Sequence, residues 1–171
     1  VTRPLLAALL AAALAPRAVS ADDLALRAGD VGEVLLPAAA LAATALHRDG
    51  AGAASLAKAY LSTLAVVYTL KYAVDRERPD GGRHAFPSGH TASAFVGASF
   101  LQRRYGWRYG VPAYAAAGFV GWSRVHADKH HVSDVLAGAA LGIGANVLFT
   151  ERRPAVAVSP AAGGLSVTLT W

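Results

Sequence analysis

Residues 84–91 read HAFPSGHT and interrupt a chain otherwise rich in alanine, leucine and valine. Pro87 and Gly89 halt regular structure, Ser88 is a good helix N-cap, and His90 falls in the first turn of any helix that follows. Backbone N–H groups without intrahelical partners lie beside it, so the turn has the makings of an anion site. It is equally the start of an ordinary capped helix, and alone it does not choose between the two. It does divide the chain, and similar breaks on either side divide the rest. Five helical segments emerge, at about 31–47, 52–73, 89–104, 107–124 and 132–150, separated by glycine, proline or charge and apolar nearly all round. The expected fold class is therefore all-α, a bundle of five main helices.

The two ends of the chain read differently. At the start, Arg3 precedes an apolar run from Leu5 to Ala15, and Val19-Ser20-Ala21 supplies small residues before two aspartates. These are the parts of a secretory signal peptide covering 1–21, since about 11 apolar residues broken by Pro16 and Arg17 fall short of the ~20 needed to span a bilayer. After Pro154, Leu165, Val167, Leu169 and Trp171 alternate with Ser166, Thr168 and Thr170 beyond a Gly163-Gly164 turn. That period predicts a short C-terminal β-hairpin in the tail 154–171. The domain proper is then 22–153.

The chain has 171 residues, enough for one domain, with 54% hydrophobic and only 16% charged residues. Its mean hydropathy is +0.37, high for an ordinary soluble domain, and a bundle embedded in a membrane is expected. The net charge of +5 does not point to nucleic acid, because the basic residues form no long run and no aromatic-rich binding motif accompanies them. There is no cysteine, which excludes disulfides and thiolate chemistry. With the mature N-terminus outside, alternate turns carry His47-Arg48, Arg103-Arg104-Arg108 and Arg152-Arg153, as the positive-inside rule expects of cytoplasmic turns. The segments 71–90 and 122–134 then face outward together.

Those two segments hold most of the polar chemistry. Lys71 precedes Arg78-Pro79 by six intervening residues, PSGH follows at 87–90, and Ser123-Arg124 precedes His130 by five, with Asp134 four residues beyond. On a helix, residues four apart share a face, so the Asp134 carboxylate would hydrogen-bond one nitrogen of His130 and leave the other free. That is the logic of a hydrolytic His-Asp pair.

The ordered strings K-x6-RP, PSGH and SR-x5-H-x3-D resemble the type 2 phosphatidic acid phosphatase superfamily, which is similar to bacterial acid phosphatases and vanadium haloperoxidases. The resemblance implies a helical bundle and phosphoryl transfer through a phosphohistidine, with no metal or other cofactor. Carried onto this chain, His130 would attack phosphorus, Asp134 would orient it, and His90 would protonate the leaving oxygen. Lys71, Arg78 and Arg124 would hold the phosphate oxygens, helped by Ser88 and the Gly89 amide. Phosphoryl transfer asks for such a set on its own account: charge neutralisation on three equatorial oxygens, an in-line nucleophile and an acid opposite.

The resulting expectation is an exported phosphatase in the cytoplasmic membrane, its site facing the periplasm or exterior, acting on the phosphate or pyrophosphate of a lipid. A soluble periplasmic acid phosphatase, a vanadate-dependent haloperoxidase and a phosphate-binding or transport protein without catalysis are the alternatives. His126, His130 and Asp134 also have a spacing that could suit zinc. That reading leaves Lys71, Arg78, Arg124 and the PSGH turn without a purpose. His131 is expected to be a flanking residue, and His47 and His84 receive no role.

Overall fold

The computed structural model describes residues 20–153, 155–161 and 164–170. Its helices are α1 (Ala21–Leu46), α2 (Gly50–Val74), α3 (Gly89–Tyr105), α4 (Trp107–His126) and α5 (Val132–Phe149). Four of the five lie close to the expected segments; α1 begins at Ala21 rather than near 31. Ser20 caps it, its Oγ accepting from the Asp23 N–H at 3.0 Å, with Asp22 and Asp23 in the first turn. In the sequence the two aspartates only follow the expected cleavage site, but at a helix N-terminus they complement the dipole. Residues 1–19, the apolar part of the expected signal peptide, lie outside the described residues, and the expected cleavage point falls in the first turn of α1. Residues Ala155–Ala161 (β1) and Gly164–Thr170 (β2) pair antiparallel, with Val158 opposite Val167.

Helix α3 packs against all four other helices. Its buried residues are mostly small, among them Ala92, Ser93, Ala94, Gly97, Ala98 and Ser99, which lets neighbouring backbones approach closely. The closest approach is by α5. A Cβ at Gly138 would stand 2.4 Å from the Ser88 carbonyl oxygen, and one at Gly142 would stand 2.6 Å from that of Ala92. The large apolar side chains point the other way: Leu24, Val31, Val34, Leu35 and Leu41 of α1, Leu61 of α2, and Leu136, Val147 and Leu148 of α5 are all exposed. Three helices, α1, α2 and α5, are long and apolar enough to cross a membrane. A core of small residues inside a greasy exterior is the arrangement a bilayer favours, because lipid is as good a solvent for leucine as a protein interior.

The three basic turns meet at one end of the bundle. Arg104 grips Asp49 with two hydrogen bonds of 2.7 Å, Tyr105 adds a third at 3.0 Å, and Arg104 also donates to the Glu151 carbonyl at 3.0 Å. Arg153 reaches the His47 carbonyl at 3.2 Å. The hydrogen bond from Arg104 holds the buried Asp49 carboxyl well below the usual carboxylate range. Removing one partner of a buried pair leaves the other uncompensated, so Asp49→Ala is expected to cost about 3 kcal/mol, measured by thermal or denaturant unfolding in detergent. The sign with pH follows from the lowered value. The contribution is complete above the unfolded carboxyl's 3.8 and fades as pH falls from there toward the folded value, so the variant's deficit shrinks in acid.

At the opposite end, the segment after α2 and the α4–α5 connection are tied together. The Asp80 N–H donates to the Asp128 carbonyl at 3.1 Å, and Lys129 pairs with the Asp80 carboxylate at 2.9 Å. The three sequence strings are all gathered at this end.

Candidate active site

The site is built around the start of α5. His131 is the N-cap and Asp134 completes the capping box, its Oδ2 accepting from the His131 N–H at 2.9 Å. Arg76 takes the other oxygen, Nη1 to Oδ1 at 2.8 Å, and the Asp134 side chain is fully buried. The carbonyl of Asp134 accepts from the Ser88 N–H at 2.9 Å, which fastens the PSGH turn to α5.

His130 is buried beside Asp134, but the expected hydrogen bond is not made: Nδ1 lies 3.8 Å from Oδ2 and has no partner. The reason is local. The helix starts at Val132, so His130 precedes it, and the argument from a shared helix face does not apply. Burial, then the positive charges of Lys71 and Arg78, push the His130 imidazole down to about 4, with Asp134 opposing them. Those two cations therefore share its surroundings. Lys71 donates to the His84 carbonyl at 2.9 Å, while its Cε lies 3.8 Å from where a Gly89 Cβ would be. Arg78 buries its Nε without a partner. Among the described residues, Arg78 Nε and His130 Nδ1 are the buried side-chain nitrogens left without a hydrogen bond, and both belong to this cluster. Such groups are costly in a finished interior, at about 1–3 kcal/mol each, and two of them in one cluster set it apart from the packed core.

The remaining predicted residues form a second group. His90 Nε2 lies 2.9 Å from Glu33 and 3.2 Å from Asp30, and Arg124 donates to Asp30 at 2.6 Å, to the Leu26 carbonyl at 2.6 Å and to Ser123. Backbone connects the two groups, since the His130 N–H reaches the Arg124 carbonyl at 3.2 Å and His90 lies two residues beyond Ser88. Ser88 caps α3 as its place in the turn predicts, its buried hydroxyl accepting from the Thr91 N–H at 3.4 Å and from the Thr91 hydroxyl at 3.0 Å. His126 reaches Asp22 at 2.8 Å, and among the described residues no three histidine, aspartate or glutamate side chains are grouped to hold a metal.

Sequence reasoning missed Arg76, Asp30 and Glu33. Arg76 lies in the gap between Lys71 and Arg78, where the strings place no requirement. The two acids were legible only as charges four and seven residues C-terminal to Leu26 on an apolar helix, a cue that becomes informative once α1 is known to run through them.

The fold and site define a class: a helical membrane protein with histidines and cations gathered at one end of the bundle. Residues 80–155 match the PAP2 superfamily, a range that holds the second and third strings and begins just after Arg78. Over 137 residues the chain is 35% identical to the lipid A 4'-phosphatase of Helicobacter pylori, covering 72% of this chain and 69% of that protein. A 77-residue stretch is 48% identical to the lipid A 1-phosphatase of Porphyromonas gingivalis; it covers 43% of this chain but only 17% of that much longer relative. The crystal structure of Aquifex aeolicus LpxE superposes with a TM-score of 0.67 at 22% identity, over 83% of this chain and 92% of that one, which shows the shared fold. The chain belongs to the PAP2 superfamily.

Proposed function

We propose that the protein is a phosphatase that removes a phosphate from a membrane lipid, with the phosphate group of a lipid A-type molecule as the favoured substrate. The observation that carries this reading is the pair of unpartnered buried nitrogens, Arg78 Nε and His130 Nδ1, inside the family's motif cluster. The relatives support the lipid, and the exposed apolar faces of α1, α2 and α5 support a substrate that arrives from the bilayer.

In this reading His130 attacks phosphorus as the neutral imidazole. The phosphorus–oxygen bond to the lipid breaks as the nitrogen–phosphorus bond forms, and His90 donates a proton to the departing oxygen. Water then hydrolyses the phosphohistidine, and His90 takes a proton from it. Lys71, Arg78 and Arg124 neutralise the phosphate oxygens, with the Gly89 N–H at the start of α3 as a further donor. Ser88 contributes by shaping that helix start. Asp134, held by Arg76 and the His131 N–H, provides a fixed negative charge 3.8 Å from His130 that favours the cationic ring formed when His130 bonds to phosphorus. The site faces the periplasmic or exterior side, because the basic turns gather at the other end.

Two measurements test this. Purified protein in detergent is expected to release phosphate from lipid A and from other lipid phosphomonoesters in the presence of a chelator, and to be inhibited by orthovanadate. Preference for small soluble esters would favour the acid phosphatase alternative, and tight phosphate binding without turnover would overturn the enzyme reading. The second concerns pH. With His130 held down to about 4, the nucleophile is neutral at all higher pH. The acid limb of kcat/KM attributable to it should then lie near 4, after allowance for the ionisation of the phosphate itself. A limb near the ordinary histidine value would mean that His130 is not desolvated as described.

A further inference from the structure

Arg124 is a buried guanidinium that meets its needs on α1. Only 3% of its side chain is exposed, and it is seated where a Cβ at Gly29 would come within 2.4 Å of Nη2. Its shortest charged contact is Asp30 at 2.6 Å, and the same Asp30 oxygen lies 3.2 Å from His90 Nε2. Two groups assigned to the phosphate and its leaving oxygen thus converge on one carboxylate. That carboxylate is not locked in place. The Asp30 side chain is 51% exposed, more than His90, Glu33 or the buried Arg124, so it can turn outward while Arg124 stays anchored by Leu26 and Ser123.

We infer that Asp30 is an internal competitor of the substrate, an anion that occupies the Arg124–His90 side of the site and has to be displaced by any phosphate that binds there. The inference rests on the proposed phosphate-binding role of Arg124. Its use follows from where the site lies. A pocket opening at a membrane surface is surrounded by phosphodiester lipids, each carrying one negative charge, at high local concentration. The phosphomonoester it would act on carries about −1.5 to −2 and binds cations more strongly. A competing carboxylate weakens every incoming anion by one common factor, the reciprocal of the fraction of molecules in which the pocket is free. The preference between diester and monoester is left as it was, and the carboxylate instead raises the concentration at which either fills the site, so that the surrounding diester does not hold it permanently. Glu33, 2.9 Å from His90, does not touch Arg124 and keeps His90 paired when Asp30 leaves.

Binding by titration calorimetry on the full chain in detergent tests this without relying on turnover. The probes are orthovanadate, for the monoester, and a short-chain phosphatidylglycerol, for the diester. Asp30→Asn is expected to tighten both by the same factor, about 10-fold, within the usual range for coupling between groups in one protein. The gain should vanish in an Arg124→Gln background. Unchanged or weaker binding in Asp30→Asn, or a gain for one probe alone, would overturn the inference. If instead vanadate fails to bind the unaltered protein, or Arg124→Gln binds it as well as the unaltered protein does, the phosphate-binding reading itself fails and this one with it. Thermal unfolding of each variant checks folding, and Asp30→Ser carries the same expectation should Asp30→Asn not fold.

Discussion

Replacing His130 with alanine is expected to lower kcat by about 10⁴-fold or more while leaving the protein folded and able to bind vanadate at the three cations. The size follows from what is removed. In the proposed mechanism no other group can form the covalent bond to phosphorus, so the route through an intermediate is lost rather than slowed. Positioning and charge neutralisation by Lys71, Arg78 and Arg124 would remain, which is why some activity over water should survive. His130 is nearly buried and its Nδ1 makes no hydrogen bond, so the packing loss is limited to one small ring. Steady-state phosphate release, with vanadate binding as the folding check, reads the result. Activity within tenfold of the unaltered protein would remove His130 from the nucleophile's role.

Gly138→Val is expected to lower stability by about 3 kcal/mol, together with loss of activity. The position has no room, since a Cβ would stand 2.4 Å from the Ser88 carbonyl oxygen and 3.2 Å from the Ala92 nitrogen. Those atoms are backbone at the start of α3 and cannot turn aside as a side chain would. Relief therefore requires α5 to lift away from α3, which stretches the 2.9 Å bond between Ser88 N–H and the Asp134 carbonyl and separates the PSGH turn from His130. Gly144 is the control on the same helix. Nothing lies within 4 Å of a Cβ there, so Gly144→Ala should be neutral or slightly stabilising through helix propensity. Thermal unfolding in detergent with a parallel activity assay distinguishes the two. Equal stability in both variants would mean that α5 does not bear on α3 at this point.

Much of the bundle was legible because its breaks are chemically loud. Pro87-Ser88-Gly89 marks the start of α3, Gly106 separates α3 from α4, and His131 with Asp134 begins α5. The start of α1 was hidden because Asp22 and Asp23 stand next to the expected cleavage site and only the completed cap reveals their purpose. The same oversight concealed Asp30 and Glu33, whose partners Arg124 and His90 lie far along the chain and carry no spacing that a linear pattern could register. Arg76 was hidden for a different reason: its contact with Asp134 depends on how the α2–α3 connection folds back, and nothing in the string K-x6-RP fixes that path. The His130–Asp134 pair was placed in the right neighbourhood by sequence. Its hydrogen bond was not, because the helix begins between the two residues.

The most direct test is to look for the covalent intermediate. Rapid acid-free quenching of the enzyme mixed with a radiolabelled lipid phosphomonoester should yield protein-bound label that is stable in base, lost in acid, and mapped by peptide analysis to residue 130. The label should be absent from His130→Ala. Full turnover with no labelled protein at any quench time, or label found on a different residue, would contradict the account.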